Sequence, residues 1–137
     1  PVSGMVKSMA KAYQPPGYAV DGPLVPHGIS VILNAPAVFR FTASACPERH
    51  LQAAEALGAD ISGIQTQDAG KMLADTIVGY MRRLKIPNGL QALGYGAADI
   101  PKLVEGTLPQ QRVTKLSPRP AGPDDLAQLF EEALMAW

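Results

Sequence analysis

Few side chains in this sequence are suited to binding a metal through nitrogen or sulfur. They are two histidines, His27 and His50, and one cysteine, Cys46. His27 lies in Pro26-His27-Gly28, where a Pro-rich loop meets a long apolar run. A helix starting there presents unpaired N–H groups, which suit an anion or a substrate oxygen. A neutral imidazole at that point could also ligate a metal. The competing reading is a histidine that packs and hydrogen-bonds at a helix start. His50, within PERHLQAAE, falls opposite Leu51 and Leu57 and is expected on a solvated face. Cys46 precedes Pro47 at a helix start, where a thiol can be acidified. Its expected role is that of a small apolar filler. Arg40 is the one charge within residues 28–45. Its fork geometry matches a carboxylate, either a substrate's or that of a structural ion pair.

Other chemistries leave no trace. There is no GxSxG elbow, no GxGxxG and no phosphate-binding GxxxxGK[ST] loop. The Gly-spaced string 89–96 follows a helix stop, not a strand, and reads as capping. Two histidines are too few for a three-His metal site.

The elements that must position these residues are helical. Residues 1–12 have apolar spacing that suits a helix, and 13–28, with four prolines, read as an irregular loop. Residues 28–45 are nearly uncharged, and a helix apolar on all sides is buried. Pro36 predicts a bend or two pieces. Residues 47–57 open with Pro47 and close at Gly58, the usual asymmetry of helix ends. In 68–85, Ala69, Met72, Leu73, Thr76, Ile77, Tyr80, Met81 and Leu84 make one helical face. Arg82 and Arg83 suit the negative end of that helix's dipole. Leu90 and Leu93 belong to a short element ending at Gly94, and 99–108 form a short helix. Residues 109–123 are expected to be extended, and 124–137 to form a last helix with Leu126, Leu129, Phe130, Ala133, Leu134 and Trp137 inward. The sum is one all-α domain, 1–137, of five to seven helices.

Composition bounds the rest. The chain has 137 residues with 12 basic and 12 acidic side chains, so no net charge draws it to nucleic acid or an anionic membrane. A single cysteine excludes an intrachain disulfide, and no apolar run is long enough to span a membrane. Charged residues make up only 18%, against roughly 25% in an average soluble domain. That is little charge from which to build a polar skin.

The string LVPHGISVILNAPAVFRFT, residues 24–42, resembles the iron-containing (group III) alcohol dehydrogenases. Their PHG histidine opens a helix of the form HGxxxAIxLPxVxxF. The matching positions here include His27, Gly28, Pro36 and Val38, with Leu33 in place of the pattern's Ile. The stretches CPERHLQAAEALGAD, QDAGKMLADTI, GYGAADIPKLVEGTLPQQRVTKLSPRP and DDLAQLFEEAL are similar to the hydroxyacid–oxoacid transhydrogenase branch.

The resemblance implies the C-terminal helical bundle of a dehydroquinate synthase-like fold. It also implies an N-terminal nucleotide-binding domain that precedes Pro1 and holds NAD. His27 would be one ligand of Fe²⁺ or Zn²⁺, with the other ligands upstream. Arg40 remains a candidate for a substrate carboxylate. No residue of this chain is assigned to catalysis proper or to NAD binding. The implied reaction oxidises 4-hydroxybutyrate and reduces 2-oxoglutarate, and the implied assembly is a homo-oligomer. The implied compartment is the cytoplasm of a bacterium or the mitochondrion of an animal. A different reading is a stand-alone helical module or truncated remnant that acts by association.

Overall fold

A computed structural model describes residues 13–19 and 21–137; the expected helix over 1–12 lies outside them. Among the described residues there are seven α-helices and no strand. They are α1 (His27–Ile32), α2 (Ala35–Thr42), α3 (Pro47–Ala56), α4 (Ala69–Arg83), α5 (Ile100–Thr107), α6 (Gln111–Thr114) and α7 (Pro123–Ala133). The break between α1 and α2 falls where Pro36 predicts it. Pro36 occupies the first turn of α2, where its missing N–H costs no intrahelical bond.

Helix α4 is the centre of the bundle, packed against α2 on one side and α3 on another, while α7 packs on α5 and α2. The buried residues of α4 are Ala69, Gly70, Leu73, Ala74, Ile77, Val78 and Met81. The face is rotated from the one its large residues mark. Tyr80 and Leu84 are 39% and 69% exposed, whereas Gly70 and Ala74 are buried. Size explains this. A Cβ on Gly70 would stand 2.8 Å from the Cβ of Ala43 and 3.0 Å from the Cα of Arg40. The bare position lets α2 and its 3₁₀ extension, Ala43–Ala45, seat directly on α4. Apolar periodicity weights bulk and misses a contact made by a missing side chain.

Two segments differ from expectation. Residues 111–114 form one helical turn within the stretch expected to be extended. The last helix ends at Ala133 instead of continuing to Trp137. Its carbonyls are taken by the loop after α4: Leu90 N–H donates to Ala133 O at 2.8 Å, and Gln91 N–H to Leu134 O at 3.0 Å. Asn88 Oδ1 accepts from Ala136 and Trp137 N–H at 2.9 and 3.2 Å, and its amide donates to Trp137 O. Gly89, at φ +70°, passes so close that a Cβ there would meet Leu134 C at 2.6 Å. The tail therefore runs across this loop, and Arg82 stacks on Trp137 at 5.5 Å. Helix α7 itself starts at Pro123, and the Asp125 carboxylate accepts from Gly122 N–H at 2.9 Å.

Tyr95 is the largest fully buried side chain, and its phenol titrates above the usual 10.0, first through burial and then through the nearby Asp99 carboxylate. A folded form that holds this proton more tightly than the unfolded chain is stabilised below that value. The stabilisation is lost as pH rises past it.

Two outcomes follow from this packing. Gly70→Ala overpacks the α2–α4 contact and lowers unfolding stability by about 1–3 kcal/mol in urea titrations. The alkaline loss of stability above about pH 10 is shallower in Tyr95→Phe, measured as the pH dependence of the same transition.

Candidate functional site

Pro26, with φ −53° and ψ 141°, delivers the chain into α1 at His27. Ser30 N–H donates to Pro26 O at 3.0 Å, and the Ser30 hydroxyl donates to His27 O at 2.7 Å. The Asn34 amide donates to Ser30 O at 2.8 Å. Leu33 and Asn34 stay in the right-handed region, so α1 runs into α2 without reversing. One side of this run is buried through Ser30, Leu33 and Ala37. The other side carries His27, Val31 and Val38, at spacing i, i+4, i+11. This side is exposed, with Val31 at 54% and Val38 at 38%. The expectation of an all-round buried helix thus holds for one side only.

Among the described residues, the His27 ring makes no hydrogen bond, so a ring nitrogen is open to a ligand. No three His, Cys, Asp or Glu side chains among the described residues converge on a common point. A metal held here through His27 would take its remaining ligands from elsewhere, since catalytic sites use at least three protein ligands. An exposed, unpartnered imidazole fits that partial role.

Arg40 sits on α2, with a guanidinium nitrogen 3.9 Å from Asp75, which Lys71 also approaches at 2.5 Å. Arg40 and Lys71 line an open groove of about 570 Å³ whose lining does not include His27. The structure therefore brings Arg40 to α4 and does not bring Arg40 and His27 into one cavity.

His50 departs most from its sequence reading. It is 6% exposed, packed edge-on against Phe39 with ring centroids 5.7 Å apart. Its Nδ1 lies 2.9 Å from Cys46 O, and its Nε2 lies 2.9 Å from the Thr42 hydroxyl. A carbonyl only accepts, so Nδ1 carries a proton; the Thr42 hydroxyl, whose one proton also has Val38 O within 2.9 Å, is the partner of Nε2. The ring thereby ties the end of α2 to the first turn of α3. Cys46 is half-buried, its Sγ 3.7 Å from His50 Nδ1, close to its expected role as filler. The sequence reading misses this face because both neighbours, Leu51 and Leu57, are themselves only partly covered. The spacing Thr42, Cys46, His50, at four-residue intervals, is the signal that could have found it.

A second stacking contact closes the same corner. Arg119 lies 3.8 Å over the Phe41 ring and donates to Phe41 O at 3.2 Å, so the loop before α7 is strapped to α2.

The PHG entry, the half-exposed α1–α2 run and the helical bundle behind it agree with the profile of the Fe-containing alcohol dehydrogenase family, C-terminal, which matches residues 16–134. The chain belongs to that family. Its relatives include the mitochondrial hydroxyacid-oxoacid transhydrogenases of Pongo abelii and Homo sapiens, 56% and 55% identical over 134 residues. A probable mitochondrial hydroxyacid-oxoacid transhydrogenase of Dictyostelium discoideum is 54% identical. These matches take in 97–98% of this chain but only 24–28% of the relatives, so the chain spans about a quarter of their length. A crystal structure of 1,3-propanediol oxidoreductase superposes with a TM-score of 0.73 at 29% identity, over 80% of this chain and 28% of that one. Matches that take in nearly all of this chain do not favour reading it as a stand-alone helical module or truncated remnant that acts by association. No described helix is long and apolar enough to cross a membrane.

Thr42→Val removes the hydroxyl partner of His50 Nε2 and leaves a buried ring nitrogen unsatisfied. Stability falls by about 1–3 kcal/mol in urea unfolding, and the double variant Thr42→Val/His50→Phe recovers part of it.

Proposed function

We propose that this chain is the C-terminal helical part of a metal-dependent, nicotinamide-linked hydroxyacid–oxoacid transhydrogenase. The observation that carries the reading is His27, an exposed imidazole without a partner among the described residues, at the head of a helix whose far side is buried. The names of the relatives support the branch. The net reaction oxidises 4-hydroxybutyrate to its aldehyde and reduces 2-oxoglutarate to the 2-hydroxy acid, one hydride leaving the first substrate and arriving on the second.

His27 gives a ring nitrogen to Fe²⁺ or Zn²⁺, both of which accept imidazole. The remaining ligands lie outside this chain, and NAD is held mainly by the N-terminal domain of the polypeptide. When bound, the metal supplies Lewis-acid polarisation of the hydroxyl or carbonyl oxygen. The chain's own contribution is positional. Pro26 and the Ser30 hydroxyl fix the first turn of α1, and the core beneath Leu33 and Ala37 keeps the ring's base from shifting. The ion pair with Asp75 favours a structural role for Arg40 over contact with a substrate carboxylate. Within this reading the protein is a homo-oligomer. It works in mitochondria, as the relatives' names indicate for them, or in the cytoplasm of a bacterium.

In the full-length protein, His27→Ala loses bound metal and lowers transhydrogenation by more than about 100-fold, read by metal analysis and coupled turnover. Full metal occupancy with unchanged turnover overturns the assignment.

A further inference from the structure

Arg40 is the one charge in residues 28–45, and its surroundings do not use it up. A guanidinium carries five N–H donors in a fixed fork. Among the described residues none of those on Arg40 makes a hydrogen bond, and its ion-pair partner, an oxygen of Asp75, stands 3.9 Å away. Asp75 is engaged elsewhere: its other oxygen takes the Lys71 ammonium at 2.5 Å. Two cations thus share one carboxylate, and one positive charge is left over. Both cations line the groove of about 570 Å³ between the end of α2 and the start of α4. The other polar side chains of its wall are Ser44, Thr66 and Gln67, all exposed. No Asp or Glu lines it, although the chain has as many acidic as basic residues. Every polar side chain of the groove is able to donate, and the two charged ones do nothing else.

We infer that the Arg40–Lys71 groove is a binding site for a small oxyanion, a carboxylate or phosphate group, separate from the metal site. The chemistry selects the ligand class. A planar fork pairs with two oxygens of one carboxylate or phosphate at once, and a nearby ammonium adds a point charge. A spherical anion such as chloride cannot match the fork. The link to Asp75 sets both cations at the groove while leaving the fork's donors unspent. His27 does not line the groove, so an anion bound here is not the substrate at the metal. The inference uses none of the residues on which the reading of the reaction rests.

Calorimetric titration of the full-length protein with inorganic phosphate, and separately with malonate, tests the site. Saturable binding of at least one of them is expected, with a Kd near or below about 1 mM. Chloride at equal ionic strength is expected to show none. The tighter ligand of the two tells a phosphate site from a carboxylate site. Arg40→Gln is expected to weaken that binding by at least about tenfold, and Lys71→Gln by about threefold. Lys102→Gln, which removes one positive charge from an exposed position on α5, is expected to change it by less than about twofold. Asp75→Asn frees both cations and is expected to tighten it by about threefold, which a purely structural ion pair would not do. His27→Ala is expected to leave it unchanged. The absence of saturable binding for both anions overturns the inference. So does binding lost in His27→Ala, which puts the anion on the metal, or weakened as much by Lys102→Gln as by Arg40→Gln, which makes it nonspecific. If Arg40→Gln does not fold, binding that neither Lys71→Gln nor Asp75→Asn alters overturns it as well.

Discussion

The α2–α4 contact at Gly70 is the constraint on which the rest of this structure depends. Helix axes separated by ordinary side chains lie about 8–10 Å apart, and only a missing Cβ lets a backbone settle on its neighbour. Here the Cα of Arg40 and the Cβ of Ala43 occupy the space that a Gly70 side chain would fill. The contact sets the depth of α2 and, through the right-handed passage at Leu33 and Asn34, the depth and direction of α1. The position of His27 is thus decided by a glycine 43 residues further along the chain. Thr42, His50 and Arg119 then secure the end of α2 distal to the site.

Much of the architecture was legible in the sequence, and the reasons are local. Pro47 at a helix start and the Pro36 break both follow from backbone geometry within a few residues. The residue pattern carries α4 to Lys85, and the helix stops two residues sooner, at Arg83. Lys85 takes φ 54°, and Ile86 N–H donates back to Met81 O at 2.9 Å. The buried face of α4, the burial of His50 and the course of residues 134–137 were not legible. Each is decided by a partner distant in sequence: Ala43 for Gly70, Thr42 and Phe39 for His50, and Asn88 for the tail.

The candidate site divides in the same way. The PHG histidine at the head of an uncharged helix could be read from residue types alone. That only one side of the helix is buried could not, because an apolar run without charge carries no periodicity to separate its inner from its outer side. The structure shows the inner side buried and Val31 and Val38 exposed on the outer one. The helical bundle behind it works as a rigid base: its buried side-chain nitrogens and oxygens, among the described residues, all have hydrogen-bond partners.

Asn88 has a chemical lifetime as well as a structural role. It precedes Gly89, and Asn-Gly is the dipeptide in which the following backbone nitrogen reaches the side-chain amide with least hindrance, closing a succinimide and releasing ammonia. Hydrolysis leaves aspartate or isoaspartate. In this fold the amide is held by residues 136 and 137, with Oδ1 accepting two N–H groups and the NH₂ directed at Trp137 O. That grip withholds the side chain from its neighbour's nitrogen. Once converted, the position would set a carboxylate oxygen against the Trp137 carbonyl and release the strap from within. The contacts that end the last helix therefore also shield the Asn88-Gly89 step from this chemistry.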